Sequence, residues 1–79
     1  MEDLKTQEIV RILRDRAGLS QEALGSMLGM SSSWVRDIET GYIELRPKTV
    51  CDLAAILGPS VGHIYRMEVD RMLNAINYK

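Results

Sequence analysis

Residues 19–41 read LSQEALGSMLGMSSSWVRDIETG, two short amphipathic runs separated by GMS, which is too little chain for a loop. Ala23, Leu24, Met27 and Leu28 recur at helical spacing in the first run, as do Val35 and Ile38 in the second. Ser20 and Ser31 stand where N-caps belong, each hydroxyl able to accept from a first-turn backbone N–H that has no helical partner. Leu19 with Leu24, and Met30 with Val35, have the spacing of hydrophobic staples that fix how the chain enters each helix. Gly29 and Gly41 close the runs at a left-handed C′ position, which favours a residue without a β-carbon. In GMS the C′ glycine of one helix is separated from the next N-cap by one residue. The spacing therefore predicts a helix, a sharp turn and a helix.

The same pattern extends outward. Ile9, Ile12, Leu13 and Ala17 form a stripe before the corner, and Val50, Leu53, Ala54 and Leu57 form one after it, while period-two alternation never lasts a strand's length. Gly18 and Gly58 follow these stripes, and Pro59 makes the last stop firmer because proline cannot continue a helix from there. The expected fold is all-α, with five or six helices in a single domain spanning residues 1–79, and with the corner unit at 20–40. The chain has 79 residues, near the size at which one core just suffices. Its 46% hydrophobic and 27% charged fractions, with no apolar run near the roughly 18 residues of a membrane span, predict a soluble protein with no membrane partner. The polar MEDLKTQEIV start shows no secretory signal, and the single cysteine excludes an internal disulfide. Both point to a reducing cytoplasm. A net charge of −1 neither favours nor excludes nucleic acid, since a local basic patch can outweigh the sum.

Two helices joined so tightly must cross steeply, which leaves the second as a ledge with one face on the core and the other free. At about 100° per residue, Val35 and Ile38 define its buried side. Ser33, Arg36, Asp37 and Thr40 lie opposite, Ser32 sits at the exposed N-terminal end, and Trp34 and Glu39 fall on the borders. Serines, an arginine and an aspartate on one free face are hydrogen-bonding groups of the kinds that read base edges in a DNA major groove.

With those residues in hand, the chain resembles the lambda-repressor-like or Cro-type helix-turn-helix regulators over about residues 9 to 65. The resemblance rests on LRDRAGLSQEALGSMLGMSSSWVRDIETG, with Gln21 opening the second helix, a small residue at Gly25, Gly29 in the turn, and the Val35, Ile38, Glu39, Gly41 series. LAAILGPSV, residues 53–61, looks like the family's fourth helix and its exit into a fifth. The resemblance implies base contacts from Ser32, Ser33 and Asp37, with Arg36 beside them, and a phosphate contact from Gln21, where helix N-terminal N–H groups already attract anions. It implies further backbone contacts from Arg46 and Lys48 around Pro47. Arg14 and Glu39 match a partly buried ion pair tying the first helix to the recognition helix, an architectural role because removing one partner strands the other. Bacterial or phage origin follows from the resemblance alone. It leaves open a phage repressor or Cro-like switch, a restriction-modification controller, and the autoregulator of a small operon.

Gly25 departs from the alanine usual in the family. In a helix interior glycine costs up to about 1 kcal/mol relative to alanine, so either the helices pack unusually close or some stability is forgone. The YIELR loop after Gly41 is more apolar and less basic than is typical of the family. Trp34 reads as a packing residue, Cys51 as a small buried or half-buried thiol, and His63, without ligand neighbours, as no metal site. No phosphate loop, nucleophile–base pair or carboxylate pair suggests an enzyme, and no cofactor or small-molecule ligand is expected. The alternative to a DNA regulator is a protein-binding antitoxin or antirepressor module on the same fold.

Residues 60–79 are the remaining segment. If helical, they carry Val61, Tyr65, Val69, Met72 and Ile76 within about 40° of one line, with Leu73 beside it and Ile64 and Met67 on another flank. One flank can close the domain's own core. The longer stripe, Tyr65, Val69, Met72, Leu73 and Ile76, is expected to form a homodimer interface, and a two-fold dimer would bind a near-palindromic double-stranded operator. The competing expectation is that the stripe folds back on the first helix.

Overall fold

The computed structural model describes residues 5–77, with side chains described through residue 75. The elements are α1 (Thr6–Arg16), α2 (Gln21–Leu28), α3 (Ser32–Thr40), α4 (Pro47–Leu57) and α5 (Ser60–Asn77), and there is no strand among the described residues. Five helices and an all-α fold agree with the expectation.

Both serine caps form. Ser20 Oγ accepts the Ala23 N–H at 2.9 Å and Ser31 Oγ accepts the Trp34 N–H at 3.1 Å. Between them Gly29 adopts φ 71°, and the Met30 N–H returns to the Gly25 carbonyl at 2.7 Å, so the chain turns within the three residues Gly29, Met30 and Ser31. Gly25 is what permits this closeness. A β-carbon there would lie 2.7 Å from the Met30 carbonyl oxygen and 2.9 Å from that of Ser31, both backbone atoms that cannot swing aside. Of the two explanations for this glycine, close packing is the one observed.

Val10, Leu24, Val35, Ile38, Val50, Leu53 and Val61 form the buried core, drawn from all five helices. Each such side chain contributes about 1.5–3 kcal/mol on burial. Leu19 packs against this cluster as the first staple requires, whereas Met30 is exposed. The α1 stripe is rotated from its expected position: the buried residues are Thr6, Val10 and Arg14, with Ile9 and Leu13 half-buried and Ile12 and Ala17 exposed. Met27 is exposed as well. Cys51 is also exposed, because α4 turns Val50 and Leu53 inward and leaves position 51 on the outer side.

The stripe on α5 divides along its length and not around its circumference. Val61 is buried, Tyr65 packs against the core, and Val69 is half-buried. Beyond it, residues 71–75 are exposed, with Met72 at 64% and Leu73 at 51%. The first half of α5 thus folds back on its own domain, as the competing expectation had it, while residues 71–75 keep most of their surface open. The Ile76 side chain lies outside the described residues. No described helix is long and apolar enough to cross a membrane.

Candidate nucleic-acid interface

Helix α3 is amphipathic because Val35 and Ile38 fall on one side and polar residues on the other, and its α2 neighbour and serine cap hold it by one end. Ser32, Ser33, Arg36 and Thr40 are exposed and Asp37 is half-buried, which gives the polar face the position expected of it. Arg36 Nε lies 3.6 Å from Asp37 Oδ1, with the arginine side chain 61% exposed. A contact so open to water holds the guanidinium weakly, and Arg36 is free to exchange it for another acceptor. Trp34, on the border, packs against the core.

Arg14 and Glu39 meet as anticipated. Arg14 Nε donates to Glu39 Oε2 at 2.6 Å and Nη2 to Oε1 at 3.2 Å, a bidentate pair with both side chains nearly enclosed. Arg14 Nη1 also donates to the Leu19 carbonyl at 2.8 Å and lies 3.2 Å from Asp15 Oδ1. One arginine of α1 therefore holds the segment entering α2 and the last turn of α3 at once. The Glu39 hydrogen bond raises the Arg14 guanidinium above its usual range; burial opposes this, and attraction to Glu39 and Asp15 adds to the rise. Because a raised cationic group keeps its contribution at every pH below its unfolded-state value, Arg14 makes no pH dependence near neutrality.

Sequence reading missed the third member of this network. Gln21 Nε2 donates to Glu39 Oε1 at 3.1 Å, so Gln21 supports α3 from inside. Its amide retains a further donor and its carbonyl oxygen, and the residue stays half-buried at the first turn of α2. No buried side-chain nitrogen or oxygen among the described residues lacks a partner.

Arg46 precedes α4 and Pro47 opens it, the proline occupying a position where a missing N–H costs nothing. Both Arg46 and Lys48 are exposed. Lys48 Nζ bonds Asp52 Oδ2 at 3.0 Å, a partner the sequence reading did not name. Lys48 and Thr49 share a groove with Met30 and Trp34, which sets the first turn of α4 beside the turn and α3. The α3–α4 loop accounts for its apolar character: Ile43 and Leu45 pack against the core, and the Ile43 N–H donates to the Asp37 carbonyl at 3.1 Å. Tyr42, just before them, is 85% exposed next to the end of α3, although the apolar reading of the loop gave it no role of its own. The described residues contain no cluster of metal-ligating side chains.

Two capped helices around a three-residue turn, with a polar ledge braced by a buried ion pair, define a helix-turn-helix unit. The sequence profile of the helix-turn-helix domain matches residues 9–64, most of the chain, and the protein belongs to this family. Neither curated proteins nor solved structures give a match. DNA is the partner that such a domain implies, and the family is typically non-enzymatic.

Proposed function

We propose that the protein is a sequence-specific transcriptional regulator of the lambda-repressor or Cro type that binds a near-palindromic operator as a homodimer. The observation that carries this reading is the free polar face of α3, held rigid from behind by Arg14, Glu39 and Gln21. Rigid placement matters because base readout requires donors and acceptors fixed before contact. Ser32, Ser33, Arg36 and Asp37 read bases, while Gln21, Arg46 and Lys48 contact phosphates and set the register. Arg36 offers the bidentate fork that suits a guanine edge. Residues 60–79 supply the dimer contact through Met72 and Leu73, which α5 carries clear of the core, together with the outer sides of Tyr65 and Val69 and with Ile76. Paired recognition helices would then enter successive major grooves about 34 Å apart. Occupancy of the operator is the regulatory act.

One observation favours a second reading, a protein-binding module such as an antitoxin or antirepressor: Met27 and Met30, both exposed, flank the turn beside α4. Such flexible apolar side chains suit a protein surface. Selection of bound sites from random DNA separates the two. The regulator yields an enriched motif with two inverted half-sites, and the protein-binding module yields none.

A further inference from the structure

Arg36 and Asp37 are neighbours in sequence that stand on opposite shoulders of the α3 ledge. At about 100° per residue, each lies about 50° from the line opposite Val35 and Ile38, with Ser33 and Thr40 between them. The two side chains come together there, Arg36 Nε 3.6 Å from Asp37 Oδ1. Neither has a hydrogen bond or ion pair of its side chain with a third residue among those described. The Nη groups of one and the second carboxylate oxygen of the other can thus serve a ligand while the pair stays joined. The shoulders face different neighbours. Arg36 lies on the side of Glu39, which Gln21 bonds, and Asp37 on the side of Trp34, which shares a groove with Lys48. A proposed phosphate contact therefore stands beyond each shoulder.

We infer that Arg36 and Asp37 form a single reader of one G·C base pair, Arg36 donating to guanine N7 and O6 while Asp37 accepts from the cytosine N4 amino group. This rests on the DNA-binding reading of the preceding section. Successive helical residues rise about 1.5 Å, less than half the roughly 3.4 Å between base pairs, so two neighbours on opposite shoulders of a helix lying in the major groove face the two bases of one pair. Across the groove a G·C pair offers acceptor, acceptor and donor in order, and an arginine followed by an aspartate answers with donor, donor and acceptor. The spacing agrees as well. Guanine O6 and cytosine N4 share a pairing hydrogen bond of about 2.9 Å, close to the 3.6 Å between Arg36 Nε and Asp37 Oδ1. The other pairs fail at definite atoms. A·T and T·A each set an acceptor, thymine O4 or adenine N7, against the Asp37 carboxylate, and C·G reverses the order so that both side chains meet like groups. A carboxylate that finds no donor is left desolvated and unpaired, which makes Asp37 the discriminating member of the pair.

The test uses an operator recovered by selection from random DNA, changed symmetrically in both half-sites at the pair where Arg36→Ala relaxes preference. That pair should be G·C, preferred over each of the other three by about tenfold or more. Replacing its cytosine by N4-methylcytosine turns the groove-facing N–H into a methyl and leaves base pairing intact. This should weaken the unmutated protein by about tenfold, a result that needs no variant to fold, and should change Asp37→Ala by no more than about twofold. Asp37→Asn, which keeps an acceptor oxygen, should retain most of the sensitivity. Replacing the guanine by 7-deazaguanine, which lacks N7, should weaken the unmutated protein and leave Arg36→Ala unchanged. A relaxed position that is not G·C, an unmutated protein indifferent to N4-methylation, or a folded Asp37→Ala protein as sensitive as the unmutated one overturns the paired reader and leaves the regulator standing. Selection that recovers no motif removes the DNA-binding reading, and the paired reader falls with it.

Discussion

Glu39→Ala is the perturbation whose cost the structure defines best. The side chains of Arg14 and Glu39 are 10% and 3% exposed, so deleting the carboxylate leaves a guanidinium with little access to water. Breaking a buried pair by removing one partner costs about 3–5 kcal/mol. Arg14 keeps the Leu19 carbonyl and the outward-facing Asp15, which places the loss near the lower bound, at about 3 kcal/mol. Gln21 loses its acceptor in the same step, but it is half-buried and can turn to solvent. A domain of this size has roughly 4–12 kcal/mol of stability in all, so the variant sits close to the margin. At about 4–8 °C per kcal/mol, the thermal midpoint should fall by roughly 12–24 °C. Circular dichroism melts of Glu39→Ala, Arg14→Met and the double variant provide the assay. The double variant should melt well above the sum of the two single losses, since neither charge is then stranded. A Glu39→Ala midpoint within a couple of degrees of the unmutated protein, or strict additivity, would refute the reasoning.

Arg36→Ala should weaken the selected operator by about 1–3 kcal/mol and relax preference at one base pair, checked by titrating single-substitution operators; equal weakening on random DNA would reduce Arg36 to a phosphate contact. Gly25→Ala should destabilise the fold by a net 1–2 kcal/mol or so in urea titration, because the clash with the Met30 and Ser31 carbonyls exceeds the gain in helix propensity. Val69→Asp combined with Met72→Asp should give a folded monomer by sedimentation with much weaker operator binding; an unmutated protein that is itself monomeric at tens of micromolar would move the dimer contact elsewhere.

What was legible in the sequence was what is decided locally. Ser20, Ser31, Gly29 and Gly41 fix helix ends through contacts within a few residues, and each does in the fold what its type suggests. The polar face of α3 was legible for the same reason, since two apolar positions set its phase. Helix α1 was misphased because two of its three buried residues are polar. Thr6 and Arg14 are tolerated inside only through Glu68 and Glu39, partners 62 and 25 residues away that periodicity does not see. Glu39 itself falls on a geometric border, and only the approach of α1 encloses it. Tyr65 carries the same lesson on α5: its apolar stripe is continuous in sequence, but of the described residues along it only Val61 and Tyr65 join the core.

The central claim, that this is a DNA-binding dimer, is tested most directly by the salt dependence of binding to the selected operator. With Arg46 and Lys48 each neutralising one phosphate as proposed, about four per dimer, the slope of log K against log salt should be near −3.6. Affinity should fall on the order of a hundredfold between roughly 50 and 200 mM salt. A slope of about half that would mean one protomer on the DNA. Binding that hardly changes with salt, or that is no tighter on the selected operator than on random sequence, would contradict the account.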